Sequence, residues 1–172
     1  MLDSLSLRLC QVQGRVFEMS GVRGFASERF IEAYMTGDVA AHFDLPFDHL
    51  QWAGEEYIFG ELVDLNPDLP KAPTDGVDLP SGTEVPEVYP GEVLYWVGYL
   101  YRYWHYVTGE SSCEIYAVAD APTMLAVYEG FHAIDNDLAI ENLKLLHEGA
   151  VHENGEGCAY GNGENDGAAQ DC

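Results

Sequence analysis

Between Leu94 and Val107 the chain reads Leu94-Tyr95-Trp96-Val97-Gly98-Tyr99-Leu100-Tyr101-Arg102-Tyr103-Trp104-His105-Tyr106-Val107, an aromatic run whose only full charge is Arg102. A segment apolar nearly all round is stable in water only when it is covered on most sides, so it belongs at the centre of a fold or at an interface. Val93 to Val107 is about 15 residues, short of the roughly 20 needed to span a bilayer, and Arg102 and His105 weigh further against a membrane segment. The run therefore predicts a central, buried helix. Thr108-Gly109 closes it.

The rest of the chain is intensely acidic. Thirty Asp and Glu face seven Lys and Arg in 172 residues, a formal net charge of -23. Such a field repels phosphates and anionic membranes and steers cationic partners inward. Duplex binding draws much of its affinity from Lys and Arg contacts to phosphate, and only Arg8, Arg15, Arg23, Arg29, Lys71, Arg102 and Lys144 are present. The expected partner is therefore a basic protein, with no direct nucleic-acid binding and no membrane association. An acid near the start, Asp3, stands where a signal peptide carries positive charge, and no long apolar run follows. Cys10, Cys113, Cys158 and Cys172 have no paired spacing. The expectation is a cytoplasmic protein with free thiols.

Elsewhere almost every hydrophobic period is helical. Leu5, Leu9, Val12, Val16 and Met19 predict a first helix over 4–19, broken at Ser20-Gly21. Ser27 reads as the N-cap of a helix with Phe30, Ile31, Tyr34 and Met35, ending at Gly37; Thr36 or Asp38 opens a further turn to Phe43. Pro46 reads as the first turn of a longer helix carrying Leu50, Trp52, Ala53, Tyr57, Ile58 and Leu62. Ser111 or Ser112 caps a helix that stops at Asp120-Ala121-Pro122, Thr123 caps the next, and Asp135 or Asn136 opens the last. The stretch 64–91, rich in Pro, Gly and acids, reads as a long loop. The Gly- and Asn-rich stretch 149–172 reads as a disordered tail. The fold class is all-α: a compact single-domain helical bundle over 1–148 with an acidic Pro-rich loop within it.

Chemistry-bearing motifs are sparse. No P-loop, G-x-G-x-x-G, G-x-S-x-G or H-E-x-x-H occurs, so no cofactor or metal is expected. Gly161-Asn162-Gly163 matches part of a Fic-type loop without its histidine. Glu110 to Tyr128 has the outline of a helix-turn-helix, but a base-reading second helix presents cations and amides that Thr123 to His132 lacks, so packing is the expected role. The best polar cluster joins Arg102, His105, Tyr99 and a nearby acid. A buried guanidinium requires a carboxylate, for which Glu55, Glu56 and Glu110 are candidates. His105 and His132 are placed where they could meet. Candidate ligand- or partner-binding residues are Trp52, Glu56, Tyr99, Arg102, Tyr103, His105, Glu110 and His132.

The pairing of Tyr95-Trp96-Val97-Gly98-Tyr99-Leu100-Tyr101-Arg102-Tyr103-Trp104-His105-Tyr106 with Thr108-Gly109-Glu110-Ser111-Ser112 resembles small uncharacterised bacterial proteins, some encoded beside toxin-antitoxin or mobile-element genes. The likeness extends from Phe30 through Gln51-Trp52-Ala53-Gly54-Glu55-Glu56-Tyr57 to about Leu146, without the proline-rich loop and the tail. It implies a shared fold and carries no active site with it; the function expected for the chain is an antitoxin-like or regulatory component of a bacterial stress or defence locus. Two other functions compete. A DNA-mimic inhibitor would set carboxylates in rows on one face. An enzyme or small-ligand binder would hold Arg102, His105 and Glu110 around one pocket.

Overall fold

A computed structural model describes residues 2–73 and 85–155. Within them lie eight α-helices and no strand: α1 Ser4–Val22, α2 Ser27–Thr36, α3 Asp38–Asp44, α4 Glu55–Leu65, α5 Gly91–Thr108, α6 Ser112–Val118, α7 Ala121–Phe131 and α8 Asn136–Gly155. A 3-10 turn, His49–Trp52, precedes α4. The all-α expectation holds.

The aromatic helix α5 is central. Val93, Leu94, Val97, Gly98, Leu100, Tyr101, Arg102 and Trp104 are all buried. Its main partner is α1, and the two backbones approach closely because glycines lie at the crossing. A Cβ on Gly98 would stand 2.7 Å from the Gln13 carbonyl and 2.8 Å from Phe17 Cγ, and one on Gly14 would stand 2.9 Å from the Tyr95 ring. Around this pair Phe17, Phe25, Phe30, Tyr34, Phe59 and Tyr101 pack edge-on, tilted or stacked, at centroid separations of 5.0 to 6.4 Å. Helices α6 and α7 lie against α2 and α5. The helix-turn-helix outline corresponds to α6 and α7, both packed on α2 and α5.

Several boundaries fall where local chemistry, rather than periodicity, puts them. Helix α1 runs through Ser20-Gly21 to Val22, because the Ser20 hydroxyl donates to the Phe17 carbonyl and the left-handed residue is Gly24, at φ 75°. Ser27 is not a cap but the first residue of α2, and its hydroxyl accepts from Tyr89 N at 2.8 Å. No continuous helix starts at Pro46: Phe47 takes a left-handed φ of 68° and Ala53-Gly54 is extended, so the segment divides into the 3-10 turn and α4. Asp120, not Thr123, caps α7, accepting from Thr123 N at 3.0 Å. Ser111 caps α6 in a reciprocal box with Glu114.

The 64–91 segment is less open than its composition suggests. Leu65 ends α4, and residues 66–72 fold back onto the α1–α2 junction through Ala26 N to the Pro70 carbonyl and Ala72 N to the Gly24 carbonyl, both at 2.8 Å. From the other end, Ser27 N donates to the Glu87 carbonyl at 2.9 Å. Buried backbone groups need partners, and this strap supplies them. Residues 74–84 lie outside the described residues. The first part of the expected tail, 149–155, is instead the end of α8; the rest, 156–172, also lies outside the described residues.

Candidate functional site

The polar centre of the bundle is built on Arg102, whose side chain is fully buried. Its carboxylate partner is Asp44, at the end of α3, at 2.7 Å. None of Glu55, Glu56 or Glu110 fills that role, because helix α3 brings a carboxylate to the guanidinium from a short element whose register the sequence leaves open. Arg102 Nε donates to Gln13 Oε1 of α1 at 2.7 Å, and Nη2 donates to Ser112 Oγ of α6 at 3.3 Å. Ser112 in turn gives Asp44 two donors, its amide and its hydroxyl, each at 2.7 Å. Tyr34 donates to Gln13 Oε1 at 3.3 Å. One guanidinium therefore ties α1, α3, α5 and α6 together, with the Phe43 ring 4.6 Å beneath it. Every strong donor and acceptor here is used internally, which is the condition under which a buried ion pair is tolerated.

His105 lies just outside this centre. Its Nδ1 is 2.7 Å from the Glu110 carbonyl, consistent with Nδ1–H donating, and 3.8 Å from Asp44 Oδ1. Burial and the adjacent Arg102 charge hold the imidazole below its ordinary pKa. The Glu110 carboxylate points elsewhere, accepting from Trp104 Nε1 at 2.6 Å and Lys144 Nζ at 3.0 Å. Burial pushes Glu110 up, but these donors outweigh it and leave its pKa lowered. Arg102, His105 and Glu110 are close along the fold yet do not converge on one cavity. Among the described residues no cluster of His, Cys, Asp and Glu has the makings of a metal site.

The other candidates are dispersed. Tyr99 stacks between Tyr95 and Tyr103 along α5, at 6.2 and 6.4 Å, and the Tyr103 hydroxyl donates to Asp137 at 3.1 Å. Burial, reinforced by that acid, pushes the Tyr103 phenol up to about 12. Glu56 is an exposed partner of Arg23. His132 does not meet His105: it is exposed and stacked on Tyr128 at 4.6 Å.

Trp52 and His105 share a concave surface. This groove, of about 360 Å³, is lined by Leu5, Ser6 and Leu9 of α1, by Asp44, Pro46, Phe47, Gln51 and Trp52, and by His105, Tyr106 and Gly109 from the end of α5. Its walls are mainly apolar. Phe47 and Trp52 at its edge are 87% and 71% exposed, values that leave both rings available to a partner. Tyr106 contributes the one buried side-chain polar atom without a hydrogen bond among the described residues, its hydroxyl. Asp44, Gln13, Phe47 and Tyr106 were not singled out from the sequence. The one available signal was Pro46-Phe47-Asp48 itself, a turn-forming sequence interrupting a hydrophobic period.

Outside the groove the surface is acidic. Arg15, Arg23, Arg29, Arg102 and Lys144 each pair with a carboxylate of the same chain, leaving Arg8 and Lys71 without an ion pair among the described residues. Cys10 is buried and Cys113 exposed, both as free thiols, and burial raises the Cys10 pKa to about 12. No described helix is long and apolar enough to cross a membrane. No family model matches the chain, and no curated protein or solved structure matches it.

Proposed function

We propose that this protein works by binding another protein, one with a basic surface, as an antitoxin-like or regulatory component of a bacterial stress or defence locus. The observation that carries this reading is a solvent-facing apolar groove, fronted by Phe47 and Trp52, set in an acidic exterior. Apolar contact supplies affinity and opposite charge supplies encounter rate and partner choice. The resemblance of the 95–112 segment to small bacterial proteins, some encoded near toxin-antitoxin genes, supports the biological setting. Free Cys10 and Cys113 fit a cytoplasmic location.

The two competing readings find less support. A ligand pocket built on Arg102 would need that group to face a cavity, and its donors are consumed by Asp44, Gln13 and Ser112. A DNA mimic would keep its carboxylates free, whereas Glu18, Glu32, Glu56 and Glu110 are each paired with a cation of the same chain. Affinity capture from the source bacterium, at low and high salt, tests the proposal. One stoichiometric basic protein, released by salt, is expected. Recovery of a nuclease through a surface distant from Trp52 would favour the mimic, and recovery of no protein would overturn the reading.

A further inference from the structure

Between Leu45 and Trp52 the chain holds a phenylalanine in a strained conformation that its own ring does nothing to offset. Phe47 has a φ of 68°, a left-handed value that a bulky side chain rarely adopts. Its ring is 87% exposed, so packing does not offset the strain. The turn is instead braced by the side chain of Gln51. Its Nε2 donates to the Phe43 and Leu45 carbonyls, at 3.2 and 2.9 Å, and its Oε1 accepts from Phe47 N at 3.3 Å. Asp48 completes the brace by accepting from Leu50 N at 2.9 Å. Strain maintained in this way clusters at active sites, ligand clamps and switch regions.

We infer that the Leu45–Trp52 turn is the recognition element of this protein: Phe47 and Trp52 flank a groove that takes an amphipathic basic segment of the partner, apolar side chains against Leu5, Leu9 and Tyr106, cations over the rim. This rests on the protein-binding reading and gives it a location and a ligand chemistry. Charge complementarity selects the occupant. Asp48 lies between the two aromatics in sequence, and its backbone hydrogen bond from Leu50 lowers its pKa and keeps it ionised; the exposed His42 and His49 sit beside it at 3.2 and 3.0 Å. Asp3, likewise held below its usual value by Ser6 N, caps the helix that supplies Leu5 and Leu9. The positive charge of Arg102 behind the groove is already met by Asp44. Arg8, one residue before Leu9, is the cation adjoining the lining in sequence. A second copy is a poor occupant, because two chains of net charge -23 repel. The volume lies within the range of sites that hold small organic groups, enough for the anchor side chains of one short segment.

Three synthetic peptides test this on the full chain: an amphipathic helix with Leu on one face and Lys on the other, the same peptide with Glu for Lys, and a Lys/Ser peptide of equal charge without Leu. Affinity is read by fluorescence anisotropy and location by NMR shift mapping. The Leu/Lys peptide is expected to bind about tenfold or more tightly than the Lys/Ser peptide, to shift Leu5, Phe47, Trp52 and Tyr106, and to lose about tenfold in affinity in Phe47→Gly and in Trp52→Ala. Phe47→Gly is also expected to raise Tm, since glycine adopts positive φ freely. Binding falling while stability rises is a combination that a merely structural role for Phe47 would not produce. Equal binding of the two Lys peptides, or unchanged affinity in Phe47→Gly, would overturn the groove assignment while leaving a basic partner in place. Failure of both Lys peptides would overturn the inference, and affinity capture would decide the protein-binding reading separately. Self-association that is lost in Phe47→Gly would assign the groove to a second copy and overturn the inference.

Discussion

Removing the carboxylate of Asp44 should cost far more than removing the charge it neutralises. In Asp44→Ala, Arg102 remains fully buried and keeps Gln13 Oε1 and Ser112 Oγ, but it loses the anion at 2.7 Å. The Ser112 amide and hydroxyl lose their acceptor as well. Breaking one side of a buried pair costs about 3–5 kcal/mol. A domain of this size has about 5–15 kcal/mol in all, and at about 2–4 °C per kcal/mol a loss near 4 kcal/mol lowers Tm by roughly 8–16 °C. Arg102→Met leaves a different residue behind: Asp44 keeps both Ser112 donors and is partly solvated, and Met occupies a site over the Phe43 ring. Its cost should be about half that of Asp44→Ala or less, and Asp44→Ala/Arg102→Met should be more stable than Asp44→Ala alone, because the orphaned charge is gone. Urea unfolding followed by circular dichroism, with calorimetry for Tm, measures all three. A loss of under about 1 kcal/mol in Asp44→Ala, or a double variant less stable than either single one, would refute the assignment of Asp44 as the counter-ion of the core.

Gly98→Ala places a methyl 2.7 Å from the Gln13 carbonyl and should destabilise by about 1–3 kcal/mol, seen as a lowered urea midpoint; an unchanged midpoint would mean that the α1–α5 contact is looser than described. Tyr106→Phe removes a buried hydroxyl with no partner and should be neutral or stabilising by up to about 1 kcal/mol in the same assay, so a clear loss would reveal a partner for that hydroxyl. Because burial and Arg102 lower the pKa of folded His105, the unfolded chain binds a proton first as pH falls through about 6.5, and stability drops until the folded imidazole also protonates. Lowering pH also relieves self-repulsion in an acidic chain, so the quantity to compare is the difference between wild type and His105→Gln, which should narrow as pH falls below 6.5; a constant difference would refute buried, neutral His105.

Much of the helical layout was legible. The 94–107 run predicts a central buried helix for a reason independent of its neighbours: aromatic side chains on nearly every face need cover everywhere. Ser111, Gly37 and Asp38 mark real boundaries through local backbone chemistry. Residues whose roles depend on a distant partner were harder to read. Ser27 has the chemistry of a cap, but its hydroxyl serves Tyr89, far along the chain. A Pro46 helix start fits periodicity, but Gln51 and the neighbouring carbonyls stabilise a strained turn instead.

What the sequence by itself determined is therefore the need for a helical core around α5, the excess of negative charge, and the requirement that Arg102 find an anion. These follow from side-chain chemistry and short-range period. Which anion, and whether the polar centre opens to solvent, depended on how α1, α3 and α6 meet α5. Their packing sealed Arg102 with Asp44, Gln13 and Ser112 and moved the exposed surface of interest to Phe47 and Trp52. A salt bridge between helices 58 residues apart in sequence leaves no periodic trace, and a strained turn beside an apolar groove exists only once the elements on either side of it are in place.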